Sequence, residues 1–239
     1  MKGRKIMAKN KKARIKKRKK VIFMQYLNDT KESMKNEMFL LPYICKLTDI
    51  QASDFTYGGD DRKECKEYFD KVCKYNKVYP KYNTDVKQQL IGGDFCWHNL
   101  LLDVKANDKK YTRACFELYK FNNTLRYKVP SDGLVIICFM KNKGEGILVP
   151  TGVIEMIANR NTGNLPLDDN FYFSNDYHEY VKSEKENIVN ICISIDVLKK
   201  LVHYYLAYDC INSNLRYLLN NGYTFSVDMD KYNTMVKSI

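Results

Sequence analysis

The sequence predicts an α/β domain, and three observations carry that reading. Leu134 to Met140 (LVIICFM) is a continuous apolar run with the length and β-branched content of a strand buried on both faces. Cys65, Tyr68, Phe69, Val72 and Cys73 recur at the spacing of one buried helical stripe. Between them, the stretch GGDFCWHNLLLDVKA (92–106) sets two short apolar runs around His98-Asn99, a pair suited to a tight turn.

In chain order, residues 1–20 read as a disordered or extended basic arm, followed by a single α/β domain over 21–239. Residues 21–57 mix short apolar and polar pieces and read as peripheral structure. Asp61 and Glu64 stand at capping-box spacing ahead of the 65–73 helix. Residues 88–91 suggest a short strand before the hairpin. Thr112 to Phe121 suggests another strand containing Glu117. After the 134–140 strand, residues 141–146 turn the chain and 147–150 return as a strand. Thr151 then caps a helix running to residue 158. Residues 159–187, rich in Asn and Asp, read as a long loop. A strand over 188–195, an amphipathic helix over 196–208 and a short helix over 212–221 make a C-terminal extension, about 188–239.

Composition sets the limits. With 239 residues, 45% hydrophobic and 13% aromatic, the chain can bury a sizeable core. Its formal net charge is +12, yet residues 1–20 hold twelve of the 40 Lys and Arg and no acid. The other 28 basic residues balance 28 acidic ones, so the body is formally neutral. Lys11, Lys12, Arg14, Lys16, Lys17, Arg18, Lys19 and Lys20 therefore form a basic segment suited to nucleic-acid phosphate. Bland readings of that segment are a solubilising tail or a nuclear address in a eukaryote. No apolar stretch reaches membrane-span length. The eight cysteines include no CxxC pair, which disfavours zinc. Buried free thiols in a reducing compartment fit them best, giving an intracellular, cytoplasmic expectation (nuclear if the source is eukaryotic).

The hairpin carries the chemistry. In a strand alternate side chains share a face, so Asp103 and Lys105 point the same way. A turn of His98 and Asn99 alone pairs Trp97 with Leu100, Cys96 with Leu101, Phe95 with Leu102 and Asp94 with Asp103. Opposed carboxylates repel, and a divalent cation with Lys105 beside it resolves the conflict. Acid-x-Lys triplets also begin at Asp29, Asp61, Glu64, Asp85 and Asp108. Only the Asp103 copy follows an apolar run and has a second acid nine positions earlier. The bland alternative is a surface hairpin with an ordinary ion pair. His98 is most simply a turn residue, and His178 and His203 are loop and helix-surface residues.

GGDF, an apolar stretch and then LLLDVKA resembles the PD-(D/E)XK nuclease superfamily, whose core is restriction-endonuclease-like: a central mixed sheet flanked by helices. The resemblance covers roughly residues 60–158, with Gly93 where the family commonly has proline. It implies that Asp94 and Asp103, with the Val104 backbone carbonyl, bind Mg²⁺ or Mn²⁺ through hard oxygen ligands. It implies that Lys105 is the catalytic lysine, orienting or activating water. Glu64, on the preceding helix, and Glu117 are candidate assisting acids, although Glu117 reads more simply as structural. The expected function is metal-dependent hydrolysis of phosphodiester bonds, with DNA as the expected substrate and a homodimer as one way to cut both strands. The alternatives are a non-catalytic nucleic-acid-binding protein using the basic segment and, more weakly, an interaction protein. On either nucleic-acid reading, deleting residues 1–20 flattens the dependence of log affinity on log salt, by about 0.9 per lost phosphate contact on duplex DNA. Anisotropy titrations across a salt series check this.

Overall fold

The computed structural model describes residues 2–84, 93–98, 100–107, 113–117, 134–154, 165–168, 171–173, 178–182, 189–209, 213–216 and 218–239. Its longest element is a helix that periodicity does not reveal. Helix α1 spans Lys2–Thr48, with Pro42 inside it. Two expectations change here. Residues 2–20 are neither extended nor disordered but continue the backbone of α1. Residues 21–57 are not peripheral: Met34, Met38, Phe39, Leu40, Leu41 and Ile44 are almost wholly buried. Four of these residues are consecutive, so the helix is enclosed all round over this stretch. A helix without a polar face leaves no amphipathic stripe to read.

After a short turn, β1 (Thr56–Gly58), α2 (Lys63–Asn76) and β2 (Lys81–Asn83) follow. Helix α2 buries Cys65, Phe69, Val72 and Cys73, as its periodicity predicts. Its cap differs from expectation. Arg62 is the N-cap and makes no side-chain cap bond, while the Arg62 N–H donates to Asp60. Strands β3 (Phe95–Trp97) and β4 (Leu100–Asn107) form the hairpin with the predicted register, Phe95 to Leu102, Cys96 to Leu101 and Trp97 to Leu100. His98 takes a left-handed φ of 49°, as a tight turn requires. Then come β5 (Arg113–Glu117), β6 (Leu134–Met140) and β7 (Glu145–Pro150). Gly144, at φ +63°, makes the β6–β7 turn.

Seven strands form the main sheet in the order β12-β7-β6-β4-β3-β1-β2, where β12 is Thr224–Ser226. Strand β6 pairs in parallel with β4 and antiparallel with β7, the central place its apolar run predicts. Strand β5 lies elsewhere, in a three-stranded sheet with β10 (His178–Lys182) and β11 (Val189–Ser194). The acid-bearing strand of Glu117 is thus not a neighbour of β4 in the main sheet. The expected 159–187 loop contains strands as well: β8 (Leu165–Asp168), β9 (Phe171–Phe173) and β10. Residues 151–154 begin the predicted helix. Its remainder, and the strand expected over 88–91, lie outside the described residues.

The C-terminal portion closes the same core. It comprises α3 (Ile195–Tyr204), the short helices α4 (Ser213–Arg216) and α5 (Leu218–Asn221), then β12 and α6 (Met229–Ser238). Buried Met235 and Tyr232 of α6 join the cluster built on α1 and β6, and the Tyr232 hydroxyl donates to Asn36 at 2.6 Å. Cys115 and Cys192 oppose one another in the β5–β11 register and are joined as a disulfide, Cα to Cα 4.2 Å. This corrects the all-thiol expectation, because 77 residues separate partners that only strand pairing brings together. Among the described residues, Cys45, Cys65, Cys73, Cys96 and Cys138 form no disulfide. Ile137, wholly buried at the centre of β6, has no room to collapse. Ile137→Ala should lower unfolding free energy by about 2–5 kcal/mol, measured by urea denaturation.

Candidate active site

The site is assembled where α1 crosses the end of the β3–β4 hairpin. Asp103 and Lys105 share a face of β4, and the Lys105 Nζ lies 2.7 Å from the Asp103 Oδ1. Asp103 is 5% exposed, whereas the Lys105 side chain is 31% exposed. A surface hairpin would leave both charges in water. Here the carboxylate is sunk into the protein and the ammonium end reaches outward.

Asp94 departs from the simple cross-strand picture. Its N–H still donates to the Leu102 carbonyl at 2.7 Å, but its carboxylate reaches along β4 and accepts the Val104 N–H at 2.6 Å. The paired register stops at Phe95–Leu102, so the carboxylate takes the place of the missing strand. In an extended strand the N–H and C=O of one residue leave the same edge, so the Val104 carbonyl faces the Asp94 side as well.

The residue that sequence reasoning missed is Glu37. It sits on the buried stretch of α1, 4% exposed, and accepts a hydrogen bond from the Tyr57 hydroxyl at 2.6 Å. Burial pushes its carboxyl well above the usual range, and the nearby charges of Asp94 and Asp103 push it further; the Tyr57 bond and Lys105 pull the other way. Tyr57, on β1, is itself raised, mainly by burial and then by Glu37. It stacks on Phe69 of α2, ring centroids 5.0 Å apart. A signal for Glu37 did exist: it is a lone acid at the head of the apolar run MFLLPYI.

Glu37, Asp94, Asp103 and Lys105 line one cavity of 420 Å³, which continues along α1 past Ser33 and Thr30 to Tyr26. Asp60 lines its far wall, held down to about 2 by the Arg62 side chain bonded to it. Glu64 is exposed in the first turn of α2 and does not line the cavity, whereas Glu37 does. The Glu117 backbone pairs with Asn190 on β11, in the separate sheet. Lys11, Lys12, Arg14, Lys16, Lys17, Arg18, Lys19 and Lys20 all lie on the N-terminal half of α1.

The donor set suits a hard divalent cation. Five carboxylates, of Asp29, Glu37, Asp60, Asp94 and Asp103, line one cavity with a single lysine, and burial, reinforced by the charges of Asp94 and Asp103, keeps Glu37 protonated to higher pH than an exposed glutamate. Among the described residues, no three His, Cys, Asp or Glu side chains gather at metal-ligand spacing. The expected ligands Asp94 and Asp103 line the cavity together, with Glu37 beside them. No helix among the described residues is long and apolar enough to cross a membrane. Comparison with protein-family models, curated proteins and solved structures finds no match to this chain.

Glu37 makes stability depend on pH. Its carboxyl is raised in the folded state, so folded protein holds a proton that the unfolded chain releases near the ordinary value of 4.5. This contribution is complete below 4.5 and is lost as pH rises towards the folded value. Without divalent metal, wild-type stability should fall across that window by up to about 1.4 kcal/mol per pH unit. Glu37→Gln should lack that slope and gain relative to wild type at the upper end. Urea titrations from acid to mildly alkaline pH in chelator check this, and parallel curves would contradict it.

Proposed function

We propose that this protein is a metal-dependent nuclease that hydrolyses phosphodiester bonds, with DNA as its substrate. The observation that supports this best is the gathering of buried Glu37 and Asp103 with half-buried Asp94 and Lys105 around one open cavity. Structural ion pairs do not need a surplus of buried carboxylates. A site for a cation and a phosphate does.

Asp94, Asp103 and the Val104 carbonyl would hold Mg²⁺ or Mn²⁺. Such an ion, when bound, makes a water more acidic and offsets phosphate charge. The chain's own residues do the positioning. Asp103 fixes the Lys105 ammonium at the cavity, where it would orient a water or meet a phosphate oxygen. The Val104 N–H holds the Asp94 carboxylate in one orientation. The Tyr57 hydroxyl does the same for Glu37, leaving its second oxygen for a proton or a ligand water. Ser33 supplies a neutral donor along the cavity wall, while the Thr30 hydroxyl donates to the Tyr26 carbonyl.

One observation favours non-catalytic nucleic-acid binding instead: the absence, among the described residues, of three acidic or imidazole side chains at ligand spacing. The two readings separate on metal. On the nuclease reading, Mg²⁺ raises the melting temperature and supports nicking or degradation of DNA. Asp94→Ala, Asp103→Ala and Lys105→Ala should each lower the rate roughly a hundredfold or more while the protein stays folded. Cleavage assays with Mg²⁺, Mn²⁺ and chelator test it, and equal activity in wild type and variants would refute the site.

A further inference from the structure

The outer end of the cavity is built differently from its floor. Tyr26 lines it and is 50% exposed; Phe23, one turn earlier on α1, is 42% exposed. The Arg62 guanidinium lies 4.3 Å from the Tyr26 ring centre and 5.3 Å from that of Phe23. Asp60 pins this cation from below and also accepts the Tyr26 hydroxyl at 3.1 Å. Two partly exposed aromatic rings, with a planar cation against one face of each, thus stand at the mouth of the cavity.

We propose that this cluster is a stacking platform for unpaired bases, and that the protein acts on nucleic acid with a single-stranded segment beside the cleaved bond. The inference rests on the reading that the cavity takes nucleic acid. It adds the form of the substrate.

Charge separates the parts of such a substrate. Asp29 and the site carboxylates line the groove and repel phosphate, so the group that rests at the mouth is uncharged and flat. Phosphate finds its counter-charge further out, where α1 runs on into the twelve Lys and Arg of residues 1–20. Bases expose their faces only when unpaired, and aromatic rings with an arginine beside them hold such faces without sequence preference. A lipid surface or a coiled-coil partner fits less well. Val21, Ile22, Phe23 and Met24 are all exposed, and four consecutive residues point around the helix rather than forming the single stripe those partners need. From Tyr26 to Glu37 the helix rises about 16 Å, so the strand must stay unpaired for several nucleotides.

Binding in chelator tests this without cleavage. Labelled single strands of about 20 nucleotides and the matching duplex are titrated by anisotropy against the full chain. Phe23→Ala and Tyr26→Ala should each weaken single-strand binding roughly five- to 150-fold, with duplex affinity changed less than about twofold. Tyr26→Phe should bind like wild type, since it keeps the ring and loses only the bond to Asp60. Phe23→Trp should retain affinity, and its added indole emission should be quenched by single strand.

Equal losses for single strand and duplex, or no loss in either alanine variant, would overturn the platform. So would a Tyr26→Phe defect as large as that of Tyr26→Ala, which would make the ring a prop for Asp60. Indole quenching by anionic vesicles or by rising protein concentration, but not by oligonucleotide, would assign the patch to a lipid surface or a second copy. Failure of the nuclease reading is separable. Phe23-dependent single-strand preference without metal-dependent cleavage would leave the platform standing, whereas cleavage that ignores Phe23 would remove it and keep the nuclease.

Discussion

The constraint on which the rest depends is the burial of acid beneath α1. Glu37 and Asp103 are both nearly inaccessible to water, and Asp94 is drawn into the same space by the Val104 N–H. Burying carboxylates near one another costs free energy that a single lysine only partly offsets. The fold sustains that cost because the surrounding core is large. Helix α1 is enclosed over residues 36–41, β6 is apolar along its length, and α6 packs into the same core. A domain with a thinner core could not hold its acids so tightly, and the cavity would open into an ordinary hydrated surface.

The parts of this arrangement that could be read in the sequence are those with a local period. The hairpin register follows from counting outward from the His98-Asn99 turn, and the observed pairs match that count. Strand β6 and helix α2 announced themselves by an unbroken apolar run and a 3.6-residue stripe. What escaped has no such signature. The core stretch of α1 is buried on every side, so its sequence resembles fragments of loop and strand. Strands β8 and β9 are only four and three residues long, too short for a period to show, and β8 carries Pro166 and Asp168.

The site shows the same division. Asp103 and Lys105 were legible because one strand places them on one face. The opposition of Asp94 to Asp103 was half right: the residues adjoin, but the Asp94 side chain takes up a backbone N–H that the shortened strand leaves over. Sequence spacing points to Glu64 and not to Glu37 because α2 has a helical stripe and α1 has none. Both are helical glutamates, one exposed on α2 and the other buried on α1. Only the tertiary path of α1 distinguishes them, and that path depends on contacts made far along the chain.

Those distant contacts have a temporal consequence. Asn36 receives its hydrogen bond from Tyr232, 196 positions later, and Asn221 donates to the Leu47 carbonyl across 174. The helix carrying Glu37 is therefore enclosed by the segment that leaves the ribosome long after it. Until residues 218–239 have emerged, the apolar circumference of α1 stays open to solvent or to whatever else will cover it. High contact order of this kind slows folding and favours intermediates with exposed hydrophobic surface. The acids beneath α1 are correspondingly late to meet: the cavity forms only when the two ends of the sequence have closed on each other.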